Sequence, residues 1–356
     1  MKIYLYDLIG VKSGMDYYLN SFKKLLNDYD IECTIRSNYP SEGKVFFSNI
    51  FTGNIIFRIL KLFRNLFYFL RHINKDTSIF LFYGTYIDLL FIIFCFRNNK
   101  VIIDLHETII LDNKSSILER ITSFIFKYSK NRIIYHSEKI KDKAMSYGFV
   151  GDLIYVPHFK YSVDKNYDIQ NISNDVISSI KSKSVNYLFF GNLRKSKGVI
   201  ELFDLIKQFK LKNRLSNVNF IIAGQDIFNI IDDYQDVSSE NFTLIRRHIN
   251  HDELVYLFKN SNFILLPYKT ISQSGVLEMA LFFKKQIITS DLEYFKNILD
   301  KYKSFGYNFN LNEQEKFNEV INKSVLNFKY KISDDDLKKY YSLDVFDNFI
   351  KELNNY

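Results

Sequence analysis

Several short stretches of this chain combine residue types that could grip an anion or move a proton. The first is Leu188-Phe189-Phe190-Gly191-Asn192-Leu193-Arg194-Lys195-Ser196-Lys197-Gly198-Val199. An apolar run turns at a glycine into a basic loop and then into a helical pattern over 200–210. Gly191 lets the backbone come close to a ligand. Arg194 offers a planar fork for two phosphate oxygens, and Lys197 offers a point charge. A solvated basic loop after a strand would look the same from this segment alone.

The second stretch runs from Phe263 to Ala280 and contains Pro267-Tyr268-Lys269-Thr270-Ile271-Ser272-Gln273-Ser274-Gly275. A strand ends at Pro267, and a helix begins near Ser274–Gly275. The free N–H groups of that first turn, with the hydroxyls of Ser272 and Ser274, make an anion site. Glu278, about one turn into the helix, is placed to reach a ribose hydroxyl, as acidic residues do in dinucleotide-binding folds. An N-capping serine accounts for the serines equally well. It does not account for two anion-suited loops in one half of the chain, each following a strand.

The N-terminal half carries candidates for proton transfer. Val101-Ile102-Ile103-Asp104-Leu105-His106-Glu107-Thr108 is an apolar strand that ends on a histidine and a carboxylate. Either His106 or Glu107 suits a general base, and either also suits an ordinary strand end. Gly10-Val11-Lys12-Ser13-Gly14-Met15-Asp16 is a glycine-bearing loop after the first strand. Asp16 there is a helix cap or a second candidate base. His158, in Val156-Pro157-His158-Phe159, stands where the first βα series ends.

These segments sit in a regular frame. Apolar, β-branched runs over 2–6, 31–35, 79–83, 101–105, 132–136 and 153–156 alternate with helical patterns such as 16–27 and 116–130. Residues 160–184 are polar, and then a second series begins, with runs over 185–190, 218–223, 242–245, 263–266 and 286–289. Near-continuous apolar strands alternating with helices predict parallel sheets covered on both faces. The expected fold class is therefore α/β, with two doubly wound, Rossmann-like domains facing a central cleft. The boundaries fall at 1–165 and 166–340, followed by a C-terminal helix over 341–356.

Composition narrows the partners. The chain has 356 residues with 47% hydrophobic and 25% charged, which excludes extended disorder. A net charge of +8 fits an anionic ligand or an acidic membrane and does not single out nucleic acid. Two cysteines without a CxxC exclude a disulfide scaffold and a cysteine zinc site, and fit a reducing compartment. No targeting segment is expected at the N-terminus, where a strand begins almost at once. The apolar stretch 78–96 is long enough to span a bilayer, but Gly84-Thr85 divides it into strand and helix, and Asp88 would be costly in lipid. Residues 50–75 contain no acidic residue but hold Arg58, Lys61, Arg64, Arg71, His72 and Lys75. Asn54, Arg58, Lys61, Asn65, Tyr68 and Arg71/His72 share one helical face there, a basic amphipathic pattern suited to an anionic bilayer. A surface helix with its aromatics in the core is the alternative.

Four pieces together resemble a known family. These are FFGNLRKSKGV, FIIAG at 220–224, HDELVYLFKNSNFILLPYK at 251–269 and SGVLEMALFFKKQIITSD at 274–291. They are similar to nucleotide-sugar glycosyltransferases of the two-Rossmann, GT-B type, near the group 1 / family 4 set. The resemblance implies that Gly191, Arg194 and Lys197 hold a diphosphate and that Ser272, Gln273, Ser274 and Gly275 hold the distal phosphate and sugar. It also implies that Glu278 holds the ribose, that Arg246 lies by the base, that Gly14 and His158 lie on the acceptor side, and that the last helix returns to the first domain. The sequence departs from the family pattern where Thr270 stands in place of a glutamate of many retaining members, and where Ile271-Ser272-Gln273 stands in place of Gly-Phe-Gly.

The resulting expectation is a glycosyltransferase that moves a sugar from a nucleotide-diphosphate sugar to a saccharide or polyprenyl-linked acceptor for a bacterial surface polysaccharide. It would work in the cytoplasm, peripheral on the inner face of the membrane, with 50–75 on the lipid. Without a DxD motif of the kind used to hold a metal–diphosphate, no metal or other cofactor is expected. The alternatives are a sugar-nucleotide epimerase on the same scaffold and a non-catalytic component of an assembly complex.

Overall fold

A computed structural model describes residues 2–8, 15–41, 44–73, 76–106, 116–212, 217–227, 229–232, 241–271, 273–342 and 344–354. The chain divides into two compact units. The first comprises residues 1–163 and 342–356, and the second comprises 164–341. The division thus falls two residues before the boundary expected at 165, and the return falls one residue after 340.

The first unit runs β1 (Lys2–Asp7), α1 (Met15–Asp28), β2 (Glu32–Ser37), α2 (Ile55–His72), β3 (Thr77–Phe82), α3 (Tyr86–Ile93), β4 (Val101–Leu105), α4 (Ser116–Lys127), β5 (Arg132–Tyr135), α5 (Glu138–Ser146) and β6 (Leu153–Tyr155). Its sheet has the order β2-β1-β3-β4-β5-β6, and neighbouring strands are parallel. β4 is buried along its whole length, as a central parallel strand must be when helices cover both faces. The apolar stretch at 78–96 is a strand and a helix separated by Gly84, and Thr85 caps α3 in a reciprocal box with Asp88. Among the described residues no helix is long and apolar enough to cross a membrane.

The second unit runs α6 (Asn174–Ser179), β7 (Val185–Phe190), α7 (Val199–Lys212), β8 (Val218–Ala223), β9 (Phe242–Ile245), α8 (His251–Asn260), β10 (Phe263–Leu266), α9 (Gly275–Phe282), β11 (Gln286–Ser290), α10 (Glu293–Lys301), β12 (Gly306–Phe309), α11 (Gln314–Asn327) and α12 (Asp334–Tyr340). Its strand order, β9-β8-β7-β10-β11-β12, is the dinucleotide-binding order 3-2-1-4-5-6. The order reverses between β7 and β10. At such a switch point, loops leaving the carboxyl ends of the two strands usually diverge and leave a crevice, the usual ligand position in an open α/β sheet.

The last helix, α13 (Asp344–Asn354), belongs to the first unit. Phe346, Phe349, Ile350 and Leu353 are buried. Phe349 lies 5.9 Å from Phe22 of α1, and the Arg132 guanidinium donates to the Glu352 carbonyl at 2.8 Å. The apolar spacing of α13 is thus used against the face of the sheet that carries α1.

Helix α2 leaves most of its apolar side chains outside the core. Asn65 is buried, and its amide accepts from the Ser48 N–H and donates to the Ser48 carbonyl. Leu66 and Phe69 enter the core, but residues 51–60 are exposed without interruption. Ile55 is 65% exposed, Phe63 62% and Phe67 67%. Asn65 ties down the preceding loop from the buried side, Arg58 and Lys61 bond to it from the exposed side, and the apolar side chains of the first turns are left in solvent.

Gly198 fixes the start of α7. Its φ is +63°, and a Cβ there would strike the carbonyl oxygen of Pro267. Gly198→Ala is expected to cost about 1–3 kcal/mol through strain and displacement of that loop. A thermal melt of the purified variant should show the second unit unfolding earlier than in wild type, and an unchanged melt would refute the account.

Candidate active site

The loops after β7 and β10 flank the switch point of the second unit, and backbone bonds join them. The N–H groups of Lys269 and Thr270 both donate to the Ser196 carbonyl, at 2.8 and 3.3 Å. Between β7 and α7 the chain turns at Gly191, with φ +111°, and then forms a short 3-10 turn, Lys195–Lys197. A Cβ on Gly191 would lie 3.0 Å from the Lys197 Nζ and 3.7 Å from Val276 in the first turn of α9. The missing side chain therefore makes room for the lysine head, which lies 5.5 Å over the Tyr268 ring. Burial, with the Arg194 charge nearby, lowers the Lys197 ammonium to about 8. Arg194 itself is exposed.

Ser274 caps α9, its hydroxyl accepting from the Leu277 N–H at 3.2 Å and lying 3.4 Å from the Tyr268 hydroxyl. Gly275 opens the helix and is exposed, and Gln273 is half-buried beside it. Ser272 lies outside the described residues. The sequence-derived donor residues Gly191, Arg194, Lys197, Ser274 and Gly275 therefore converge on one edge of the sheet. Two others are held by protein partners. Arg246 pairs with Asp226 at 3.0 Å and with Asp232, and donates to Asn229. Glu278 is fully buried, with the Tyr340 hydroxyl donating to one carboxylate oxygen at 2.8 Å and the Tyr341 hydroxyl to the other at 2.6 Å. Burial pushes its carboxyl up to about 7 despite those bonds.

In the first unit the carboxyl ends of three adjacent strands each lead to a histidine: His106 after β4, His136 after β5 and His158 after β6. All three are buried. Asp104, within β4, binds the group together. It accepts from the Tyr18 hydroxyl of α1 at 2.7 Å, meets the His136 Nε2 at 2.8 Å, and meets the His106 Nε2 at 3.2 Å. The His136 Nδ1 faces the Val156 carbonyl at 2.7 Å. Burial alone would raise the Asp104 carboxyl, but His106 and His136 override it and hold the group well below the usual range. His158 stacks on His136 at 5.5 Å between ring centroids. Asp16 is buried near the start of α1, two residues before Tyr18. Glu107 and Gly14 lie outside the described residues.

The sequence named His106 and His158 as candidates but not Asp104, His136 and Tyr18, which the structure gathers beside them. The signal for Asp104 was present: a lone carboxylate inside an otherwise apolar buried run requires a donor. Among the described residues, Asp104, His106 and His136 are the group that could hold a metal ion, with ligand atoms within 4.8 Å of one another. The His136 Nε2 to Asp104 separation of 2.8 Å is that of a direct hydrogen bond.

The Glu278 carboxyl makes a prediction about stability. Its ordinary value is 4.5 and its folded value about 7. A carboxyl raised on folding stabilises most at low pH, and that contribution is lost as pH rises through the folded value. Glu278→Gln is expected to flatten the pH dependence of the melting temperature between pH 5 and about 8, and a variant with the wild-type slope would disprove the assignment.

No family model matches the chain, and no curated relative does. Solved structures do match. Sucrose-phosphate synthase from Thermosynechococcus elongatus superposes with a TM-score of 0.70 at 11% identity, covering 100% of this chain and 98% of that one. Anabaena HepE in complex with UDP-glucose gives 0.64 at 12%, covering 100% of both chains. WaaG, a glycosyltransferase involved in lipopolysaccharide biosynthesis, gives 0.61 at 12%, covering 96% of this chain and 95% of that one. With two parallel six-stranded sheets, the second in dinucleotide-binding order, and whole-chain similarity to these structures, the protein has the GT-B glycosyltransferase fold.

Proposed function

We propose that the protein is a glycosyltransferase that binds a nucleotide-diphosphate sugar on its second unit and passes the sugar to a lipid-linked saccharide. The observation that carries this reading is the meeting of the Gly191–Lys197 turn with the opening turn of α9 at the β7/β10 switch point. Arg194, Lys197 and the α9 N–H groups supply positive charge where a leaving diphosphate gains negative charge. Neutralisation is thereby assigned to the chain's own groups rather than to a metal ion. Gly275, Ser274 and Gln273 line the same edge, and Glu278 is the group assigned to the ribose. HepE, of the same fold, has been solved with UDP-glucose and with UDP, which supports a sugar nucleotide as the ligand class.

His106 is assigned the role of general base toward an acceptor hydroxyl. A base of this kind must be held and kept in one tautomer, and Asp104 meets that need through the contact at 3.2 Å. His158, with Asp16 on α1, completes the acceptor side of this proposal.

Incubation with a sugar nucleotide alone separates transfer from epimerisation, since only the latter would proceed without an acceptor. A thermal-shift screen across UDP-, GDP-, ADP- and CMP-sugars tests the donor site. A ligand at about 100 times its Kd adds about 2.7 kcal/mol. We expect a shift with at least one nucleotide class. We also expect binding to weaken as pH rises through about 8, where Lys197 loses its proton, and Lys197→Ala to abolish the shift. A shift retained in full by Lys197→Ala would overturn the assignment.

The exposed face of α2 supports a membrane-bound acceptor. Arg58, Lys61, Arg64 and Arg71 make no carboxylate ion pair among the described residues; Arg58 and Lys61 donate instead to the carbonyls of Ile50 and Thr52. Uncompensated cations beside exposed Ile55, Ile56, Leu60, Phe63 and Phe67 fit an anionic bilayer surface, with the enzyme peripheral on the inner face of the cell membrane. The protein is expected to sediment with phosphatidylglycerol-containing vesicles and to be released by salt, with Arg58→Glu plus Lys61→Glu weakening the association. Equal sedimentation with neutral vesicles would contradict the electrostatic part.

A further inference from the structure

We infer that Tyr340 and Tyr341 form a latch on the donor site, engaging Glu278 through two hydroxyls that a nucleotide's ribose must displace. The inference rests on the assignment of Glu278 to the ribose and adds a regulatory contact to it. Each carboxylate oxygen already has one hydroxyl donor, at 2.8 Å from Tyr340 and 2.6 Å from Tyr341. A ribose offers the same chemistry: two neighbouring hydroxyls, one for each oxygen. The phenols therefore occupy the carboxylate as an internal substitute for a ligand diol.

A fully buried carboxylate cannot be left without donors at low cost. Exchange is thus a substitution of ligand hydroxyls for phenols, rather than entry into an open subsite. A protein that must first lose an internal contact binds more weakly by the fraction of molecules in the competent state. The tyrosines are themselves firmly placed. The Tyr340 ring meets Tyr302 and Phe305 edge-on at 5.4 Å each, and Tyr341 at 4.9 Å. Phenylalanine would keep these ring contacts and remove only the hydroxyls. Tyr341 is also the last residue of the second unit before the chain re-enters the first, so release of the latch acts on the segment that joins the two.

The test is calorimetric titration with UDP, GDP and ADP on wild type, Tyr340→Phe, Tyr341→Phe and the double variant. The nucleotide that binds wild type should bind the double variant roughly tenfold or more tightly, the scale of one hydrogen bond to a charged group. Its 2′,3′-dideoxy counterpart, which lacks both hydroxyls, should bind wild type and double variant equally. Unchanged or weaker binding of the ribonucleotide by the double variant, or an equal gain for the dideoxy nucleotide, overturns the latch while leaving the donor site intact. Failure of every nucleoside diphosphate to bind wild type and variants alike overturns the ribose assignment and the latch together. Each single variant leaves one phenol in place, so a double variant that does not fold still leaves the comparison to be made, with a smaller gain expected.

Discussion

The second unit depends on a backbone contact between two loops that are far apart in sequence. The Ser196 carbonyl accepts from both Lys269 and Thr270, and Gly198 allows the close approach to Pro267 that this requires. Without it, the loops after β7 and β10 would follow their own strands apart, as loops on either side of a switch point do. With it, a lysine from one loop and a helix opening from the other meet at one place. That place is unfavourable for Lys197 by itself, because burial and a neighbouring guanidinium both act against its charge. An anion there would relieve both effects, so the site holds a cost that a ligand removes.

The first unit meets a buried charge in another way. Asp104 lies within β4 with no exposure; the Tyr18 hydroxyl donates to it, and the Nε2 atoms of His136 and His106 meet it at 2.8 and 3.2 Å. α1, β4 and the end of β5 are thereby fixed relative to one another around a carboxylate. A histidine held like this cannot wander between rotamers, a condition for proton transfer in a defined direction. It follows that Asp104→Asn, which keeps the shape but removes the charge, alters the surroundings of two histidines together.

Much of this was legible before any coordinates. Central parallel strands such as β3, β4, β7, β8 and β10 stand out as near-continuous apolar runs, and the βα rhythm locates the other strands of the first unit and β9 and β11 of the second. β12, Gly306–Phe309, does not stand out, because it is a half-buried edge strand with little apolar content. The turn at Gly191 and the helix start at Ser274–Gly275 were legible because glycine and small polar residues after a strand mark a turn or a cap. The partners of Glu278 were not, since Tyr340 and Tyr341 lie more than sixty residues away in a chain with 26 tyrosines. Abundant residues carry little information about which of them matter. His136 escaped notice for a related reason: a single histidine after a strand becomes informative only once the fold brings its Nε2 to Asp104 at 2.8 Å.

Two of the places where local pattern and folding conflict also bear on the proposed function. Folding by itself favours a buried Phe63 and an exposed Glu278; the structure has the reverse. An apolar side chain left in water forgoes about 1.5–3 kcal/mol, and several are left on α2 alone. A carboxylate moved out of water loses more than hydrogen bonds to two phenols restore, as its raised titration shows. Neither arrangement is explained by the stability of the isolated chain, and conflicts of this sort concentrate at working surfaces. A lipid surface would bury the exposed side chains of α2, and a ribose would take over the donors on Glu278. On the proposed function, each conflict would thus be relieved by one of the two partners it assigns.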